Sequence, residues 1–270
     1  QLAQSVGLFR RRLKTSLLSA ADVKSNPYAI KMMGPTARTV SRLGGDFRWQ
    51  HLPVPFEVYA DGIDLVVFEE FGSGAAALHL RDDVERNDLL RDQDYRRRFR
   101  KDYENKFGVR VWHRDFFDAE IVECPDAAVI GKTFGQVGVE RGGLHPVDAF
   151  LDLVVEHGRA VRWRTTISNH RPEVLRQMAV EPGIQMGFSD AGAHLDRMCG
   201  APYTTRFLGD CLRGASARLR GNDVLRRVVA GSIFGGIAVT GRRAALAGGG
   251  LGRVDDGSIG VRVCDGPRAG

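Results

Sequence analysis

The side chains best placed for chemistry lie in one stretch, residues 183–195, which reads GIQMGFSDAGAHL. Its apolar start predicts a short buried β-strand, and Ser189 and Asp190 follow where that strand would end. Small residues come next and would let a substrate approach the backbone closely, before His194 completes the polar set. A carboxylate at the carboxyl end of a buried strand is where an α/β barrel places a catalytic group. We therefore predict that Asp190 is catalytic and that His194 lies in the same pocket.

A purely structural interpretation of this stretch stays open. An Asp that follows a strand is often the N-cap of the next helix, and a lone His194 is equally compatible with a surface position. The neighbouring elements favour the catalytic interpretation, because they predict further polar groups at the same place.

The elements before this stretch alternate between helix and strand. Residues 146–157 predict a helix that begins at Pro146 and ends at Gly158. Residues 161–167 are rich in β-forming side chains and predict a strand, and a second helix begins near Pro172. Such alternation is typical of parallel βαβ units.

This alternation predicts that strands 161–167 and 183–188 are adjacent and parallel, joined by a right-handed crossover. Two polar residues, Asn169 and His170, follow the first of these strands. They would then lie beside Asp190, because neighbouring parallel strands end at the same edge of a sheet. We assign four residues either to substrate binding or to hydrogen bonds that orient the site. They are Ser189, His194, Asn169 and His170.

A second pair of candidate residues is Glu69 and Glu70. Residues 64–71 read DLVVFEEF and predict a strand that ends at these two carboxylates. Together with Asp190 they could act as acid and base, which would make the protein a barrel glycosidase. That alternative also predicts sugar-stacking aromatic residues beside the carboxylates, and we rank it last. The structural interpretation is that one glutamate faces solvent and the other caps a neighbouring element.

The other segments give weaker patterns. Residues 1–18 are basic and amphipathic, and they predict a barrel helix with a solvated basic face. Residues 38–50 predict a loop around a Gly-Gly pair. Residues 75–107 predict surface helices, because charges of both signs alternate along them. Residues 109–112 and 119–122 predict short strands.

The basic charge of the chain is confined to its C-terminal end. Residues 211–270 carry ten Arg and four Asp without Lys or Glu, which equals the net charge of +6 of the whole chain. Residues 1–210 are therefore electrically neutral. A nucleic-acid-binding domain carries a basic patch on its fold, so we predict that nucleic acid is not a partner.

Targeting and cysteine patterns favour a cytoplasmic protein. The chain has no apolar run of the roughly 18 residues that a membrane helix needs, so we predict that a membrane is not a partner. We recognise no signal peptide, and a chain that begins at Gln1 is expected to be processed or to be a fragment. The four Cys show no CxxC spacing and are predicted to be reduced thiols.

Five stretches within residues 36–208 resemble a known family. They read GGDFRWQHLPVPFEVYADG, VWHRDFFDAEIV, GLHPVDAFLDLVVEHG, WRTTISNHRPEVL and, most specifically, GFSDAGAHL. They are similar to the N-acyl-D-amino-acid deacylases, or D-aminoacylases, of the amidohydrolase superfamily. The resemblance implies an α/β fold for residues 1–209, as the C-terminal portion of a metal-dependent (β/α)8 TIM barrel. Residues 210–270 do not match the family, and we expect this Arg/Gly-rich tail to be the least ordered part.

The resemblance also implies a chemistry. It implies zinc as the cofactor and an N-acylated amino acid or a related linear amide as the substrate. It implies that Asp190 takes a proton from the attacking water and passes it to the leaving amine. The family's His-x-His pair, its Cys or carboxylate ligand and the histidines of its fifth and sixth strands have no match here, and we expect them before Gln1. Asp190 would then be a weak or bridging metal ligand, since a catalytic zinc normally has three protein ligands.

An interpretation from another class is a non-catalytic remnant. A half-barrel without the main metal ligands would act as a binding or structural piece only. Upstream coding sequence distinguishes the two hypotheses, because an in-frame His-x-His segment there favours the enzyme.

Overall fold

The computed structural model describes residues 14–107 and 110–187, all of which belong to one compact unit of the chain. Ser189, Asp190 and His194 lie outside the described residues. The predicted domain boundary after residue 209 and the predicted tail 210–270 lie outside them too. The structure therefore describes the residues directly before Phe188 in the predicted catalytic stretch and the elements that pack around them.

The first of two sheets is parallel. It consists of β1 (Lys14–Ala20), β2 (Asp46–His51) and β6 (Ile184–Met186), in the order β1-β2-β6. Helix α1 (Ala29–Arg42) follows β1 and leads back to β2, which makes a parallel βαβ unit. The carboxyl ends of the three strands therefore lie at one edge of the sheet, and we call this the carboxyl edge.

Helix α1 packs closely against the parallel sheet. Ile30 of α1 lies in one buried apolar cluster with Ile184 of β6. A Cβ placed on Gly183 would lie 2.3 Å from the Cβ of Ala37 in α1. Real side chains do not approach so closely, so glycine is what allows β6 to begin against this helix.

The second sheet is antiparallel. It consists of β3 (Phe56–Asp61), β4 (Ala119–Glu123) and β5 (Arg162–Ser168), in the order β3-β5-β4. The other helices of the described part are α2 (Gly72–His79), α3 (Asp83–Arg91), α4 (Gln93–Glu104), α5 (Phe134–Glu140), α6 (Pro146–His157) and α7 (Pro172–Val180). Short 3₁₀ turns occupy Val66–Glu70, Ala127–Val129 and Gly158–Ala160.

An aromatic core joins the antiparallel sheet to its helices. Phe150 of α6 lies at its centre, with ring centroids 4.6 Å from Phe116 and 5.1 Å from Phe134. Trp163 of β5 lies against the same ring, and its indole N–H donates to the carbonyl of Gly62 at 2.8 Å. Rings of this size supply most of the apolar area that a core of these dimensions buries.

The predicted pairing of residues 161–167 with residues 183–188 is wrong. The first segment becomes β5 of the antiparallel sheet, and the second becomes β6 of the parallel sheet. The physical reason is visible in β5, where Trp163, Thr165 and Ile167 are buried and the residues between them are half-buried. Burial on one face only is typical of antiparallel strands, whereas a central parallel strand is apolar on both faces. The closed barrel stays a prediction.

Four other predictions about local structure are also wrong. Residues 64–71 do not form a strand, since Val66–Glu70 is a 3₁₀ turn. Residues 14–18, predicted as the end of a helix, belong to β1, because pairing with β2 outweighs the local amphipathic pattern. Residues 38–50 are the end of α1 and most of β2, not a loop, and residues 110–112 are not a strand.

Several local predictions are confirmed. Helix α6 begins at Pro146 and ends where Gly158 takes a positive φ of 57°. Helix α7 begins at Pro172, and β4 covers the strand predicted at 119–122. The charged segment 75–107 is helical in α2, α3 and α4, with breaks between them.

Candidate functional site

The carboxyl edge of the parallel sheet is where the predicted catalytic stretch leaves the described structure. His51 ends β2 and pairs with Met186 of β6. The backbone N–H of Gly187 then donates to the carbonyl of His51 at 3.2 Å. Gly187 is followed in the sequence by Phe188, Ser189 and Asp190. His51 is thus the described side chain whose strand adjoins the start of this stretch.

His51 is fully buried and holds one defined tautomer. Its Nδ1 lies 2.5 Å from the carbonyl oxygen of Ala20, and because a carbonyl only accepts, Nδ1 carries the proton. The Nε2 atom is buried and has no hydrogen-bond partner among the described residues. Burial lowers the pKa of His51 to about 4, against the smaller opposing effects of the Ala20 carbonyl and of Asp22. The ring is therefore neutral at pH 7, with an unused lone pair on Nε2.

This arrangement fits a metal ligand. Metal-binding histidines usually donate one ring N–H to a carbonyl or carboxylate, which fixes the ring and leaves the other nitrogen to bind the ion. Zinc accepts neutral imidazole nitrogen readily. Within residues 14–107 and 110–187, however, no group of three or more His, Cys, Asp or Glu side chains is placed to hold a metal. His51 is the described residue that could contribute to such a site, and further ligands would come from elsewhere.

A buried ion pair lies at the same edge. Asp22, two residues beyond β1, is fully buried, and its carboxylate accepts from both Nε and Nη2 of Arg171. His170 lies beside this pair, with Nδ1 3.8 Å from Oδ2 of Asp22. Burial lowers the pKa of His170, and Asp22 opposes that shift. The predicted site residue His170 is thus exposed at the carboxyl edge, beside a carboxylate that Arg171 already neutralises.

Asn169 joins the end of β5 to the ends of β1 and β2. Its Oδ1 accepts from the backbone N–H of Asp22 at 2.9 Å, and its Nδ2 donates to the carbonyl of Leu52 at 2.8 Å. Its own N–H donates to the carbonyl of Asp22, and its φ is +63°, in the left-handed region that Asn tolerates. Both polar ends of this buried side chain bind main chain. These contacts give Asn169 a structural role at this edge, and its assignment to substrate binding or to hydrogen bonds that orient the site stays a prediction.

We expect that replacing Asn169 destabilises the fold in two separable steps. Asn169→Gly keeps the positive φ but removes both side-chain hydrogen bonds and leaves buried main-chain groups unpaired, which costs about 2 kcal/mol. Asn169→Ala adds backbone strain of about 1 kcal/mol or more. Urea unfolding of both variants and of Asn26→Ala, at an exposed position, measures the two steps. Equal stability of all three variants would contradict the assignment.

A second polar cluster lies between the two sheets. The Nζ atom of Lys24 and the Nε2 atom of His113 both approach Oδ2 of Asp118, the latter at 2.8 Å. The His113 contact is close enough for an ion pair but is not aligned as a hydrogen bond. The pKa of Asp118 is lowered by His113 and Lys24, against the opposing and largest effect of burial. Lys24 offsets the charge of Asp118, so this carboxylate does not present a free charge to a ligand.

The two glutamates of the glycosidase alternative lie in the 3₁₀ turn Val66–Glu70, away from a strand end. Glu69 is half-exposed and faces His79 at 3.5 Å. Glu70 accepts from the backbone N–H of Val111 at 2.7 Å and so fixes the loop after α4. These contacts correspond to the structural interpretation, in which one glutamate faces solvent and the other caps a neighbouring segment.

Sequence reasoning did not single out His51. The sequence does contain a signal for it. Phe47, Trp49 and His51 occupy every second position, as on one face of a strand, and a proline-containing extended segment follows His51 directly. Residues 38–50 are predicted as a loop, so the sequence does not predict that His51 ends a strand. His170 and Asn169 were recognised, but their neighbour Asp22 was not.

Similar proteins occur in mycobacteria. The chain is 55% identical over 206 residues to an uncharacterized protein of Mycobacterium tuberculosis (strain ATCC 25618 / H37Rv) and to one of Mycobacterium bovis (strain ATCC BAA-935 / AF2122/97). The aligned part is 74% of this chain and 34% of each relative, so the chain spans about a third of the length of these curated relatives. No family model and no solved structure matches the sequence.

The helices give no candidate for a membrane span. None of those in residues 14–107 and 110–187 is both long enough and apolar enough to cross a bilayer.

Proposed function

We propose that this protein is a metal-dependent hydrolase of linear amides, similar to the N-acyl-D-amino-acid deacylases, acting in the cytoplasm on an N-acylated amino acid or a related amide. The observation that carries the proposal is His51, whose Nδ1 is fixed by the Ala20 carbonyl and whose buried Nε2 is unpartnered among the described residues. It ends the strand next to β6, from which the chain continues towards Asp190. An imidazole with a fixed orientation and a free ring nitrogen therefore lies next to the start of the stretch that carries the family resemblance.

Each residue of the proposed site would have its own role in amide hydrolysis. His51 holds its Nε2 lone pair ready as one zinc ligand, and the buried ring stays neutral at pH 7. Zinc, when bound, supplies a water whose pKa is low enough for attack on an amide. Asp190 accepts a proton from the attacking water and returns it to the leaving amine. The Asp22–Arg171 pair fixes the edge of the sheet on which His170 stands.

We expect His51→Asn to weaken zinc binding in the full-length protein. The Asn amide N–H can replace the Nδ1–H bond to Ala20, so the variant deletes Nε2 while the local packing is retained. Loss of the ligand raises the zinc Kd by at least about 10–100-fold, the size of effect seen even for groups that only orient a ligand. Zinc content by elemental analysis and Kd by chelator competition measure the change. His79→Ala, at an exposed histidine, is the matched control and should bind zinc normally.

Two results would contradict the proposal in different ways. Equal zinc affinity of His51→Asn and the control would remove His51 from the metal site. A wild-type full-length protein that neither binds zinc nor hydrolyses N-acetyl-D-amino acids would favour the non-catalytic interpretation.

A further inference from the structure

Three cationic side chains of the loop after α4 have no ion pair among the described residues. They are Lys106, which is exposed, Arg110, which is half-buried, and Arg114, which is buried. Most half-buried or buried cations elsewhere in the described chain do have a carboxylate partner, as Lys24, Arg96 and Arg171 do. A buried cation without a counterion is costly, so the cluster needs a physical explanation.

Two of the three cations are hydrogen-bonded to carbonyls, which do not neutralise their charge. Arg114 is 4% exposed, lies over the ring of Phe71 and donates to the carbonyls of Asp102 and Asn105 at 2.9 and 3.2 Å. The Nζ atom of Lys106 donates to the carbonyl of Arg114 at 2.6 Å and lies 4.7 Å from the ring centroid of Tyr103. Both cations are therefore held in place by carbonyls and aromatic rings. Carboxylates lie near them without forming an ion pair among the described residues: Glu70 and Asp102 near Arg114, and Asp115 and Glu104 near Lys106.

Arg110 is the third cation and has unused donors. Its Nε and Nη1 atoms are buried and have no hydrogen-bond partner in the described part of the chain. Its backbone is fixed, because the hydroxyl of Ser25 donates to the carbonyl of Arg110 at 2.7 Å. Ser25 lies in the loop between β1 and α1, three residues beyond Asp22. Arg110 therefore borders the carboxyl edge of the parallel sheet.

The electrostatic effect of Arg110 on its neighbours agrees with this geometry. Burial is the main cause that lowers the pKa of Lys106, and Arg110 is the largest charge effect in the same direction. Burial also lowers the pKa of Arg114. The charge of Glu70 opposes this shift, and the charge of Arg110 adds to it. The cations repel one another, and the nearby carboxylates of Glu70, Asp102, Asp115 and Glu104 offset part of this repulsion. An anion bound to the free donors of Arg110 would offset more of it.

We propose that Arg110, whose buried Nε and Nη1 have no partner in the described part of the chain, forms a binding site for a small oxyanion at the border of the carboxyl edge. A guanidinium with free donors is well suited to the oxygens of a carboxylate or a phosphate. The ligand is either the carboxylate of a small organic molecule or free inorganic phosphate, which share this chemistry. The site involves neither His51 nor Asp190, so it stands apart from the proposed hydrolytic function.

The test is anion binding by the full chain and by Arg110→Gln. Isothermal titration calorimetry with inorganic phosphate in one arm and acetate in the other, at constant ionic strength, measures the Kd. We expect at least one anion to bind the wild type, and Arg110→Gln to raise that Kd about 10–100-fold, as expected for lost hydrogen bonds to a charged group. Arg98→Gln, at an exposed arginine of α4, is the matched control and should bind like the wild type. Binding of phosphate alone identifies phosphate as the ligand, and binding of acetate identifies a carboxylate.

Thermal stability provides a second readout that does not depend on calorimetry. Without added anion, Arg110→Gln should melt at the same temperature as the wild type or higher, because it removes an unpaired charge. Added anion should raise the Tm of the wild type and of Arg98→Gln but not that of Arg110→Gln. The proposal is overturned if neither anion binds the wild type, or if Arg110→Gln binds as tightly as the control. A lower Tm of anion-free Arg110→Gln would also overturn it, because Arg110 would then have a structural partner.

Discussion

Asp190→Asn is expected to lower kcat of the full-length protein about 10²–10⁴-fold, the range typical of a lost general base. The amide has nearly the shape of the carboxylate, so the variant changes chemistry more than packing. An amide cannot accept a proton from the attacking water, and it has none to return to the leaving amine. Zinc should largely remain, because the family resemblance assigns the main ligands to other residues.

The measurement is kcat together with zinc content, using an N-acetyl-D-amino acid as substrate and its L-enantiomer as the comparison. His194→Ala is the companion variant and should have a milder effect, because we assign His194 to substrate orientation or to hydrogen bonds that orient the site. Near-normal kcat of Asp190→Asn with zinc still bound would mean that Asp190 is only a helix cap. Loss of zinc together with activity would mean that Asp190 is a main ligand and not a weak one.

The sequence predicts local structure well where a single residue determines the backbone. Pro146 starts α6 because its φ suits the first turn and its missing N–H is not needed there. Gly158 ends the same helix because it takes a positive φ at no steric cost. Such signals act within a few residues and need no knowledge of the rest of the fold.

Partnership between strands is harder to predict. Residues 161–167 were correctly predicted as a strand, but the neighbours of β5 are β3 and β4, and β4 lies about forty residues earlier in the chain. The helix–strand alternation around β5 favoured a parallel neighbour. The alternation of side chains within β5 carried the better information, since one buried face indicates an antiparallel strand.

The surroundings of the candidate site arise from contacts between the two sheets, which sequence patterns do not contain. The end of β5 reaches the end of β1 through a bridge between Val23 and Ser168 and through the bonds of Asn169. Asn169 therefore lies at the carboxyl edge although β5 is not a strand of that sheet. Its left-handed φ of 63° is part of this connection, and a strand-end position alone does not predict it. His51 was missed for a related reason, because its importance depends on the carbonyl of Ala20 in another strand.

Phe150→Ala is expected to cost about 3–5 kcal/mol of unfolding free energy, the usual range for a large aromatic residue removed from a core. Phe150 is fully buried, and its ring lies 4.6 Å from that of Phe116, 5.1 Å from that of Phe134 and 5.6 Å from that of Phe68. The surrounding rings belong to different elements, so they cannot close together over the space that the ring leaves. The loss therefore contains a cavity term in addition to the lost transfer free energy.

Urea unfolding of the full chain, followed by circular dichroism and by tryptophan fluorescence, measures this loss. Phe107→Ala is the matched control, because Phe107 is 90% exposed and its removal should change stability by no more than about 0.5 kcal/mol. Phe150→Leu should lie between the two, because most of the buried volume is kept. If Phe150→Ala and Phe107→Ala unfold at the same urea concentration with the same slope, Phe150 does not lie at the centre of the core, and the packing of α6 against β5 is wrong.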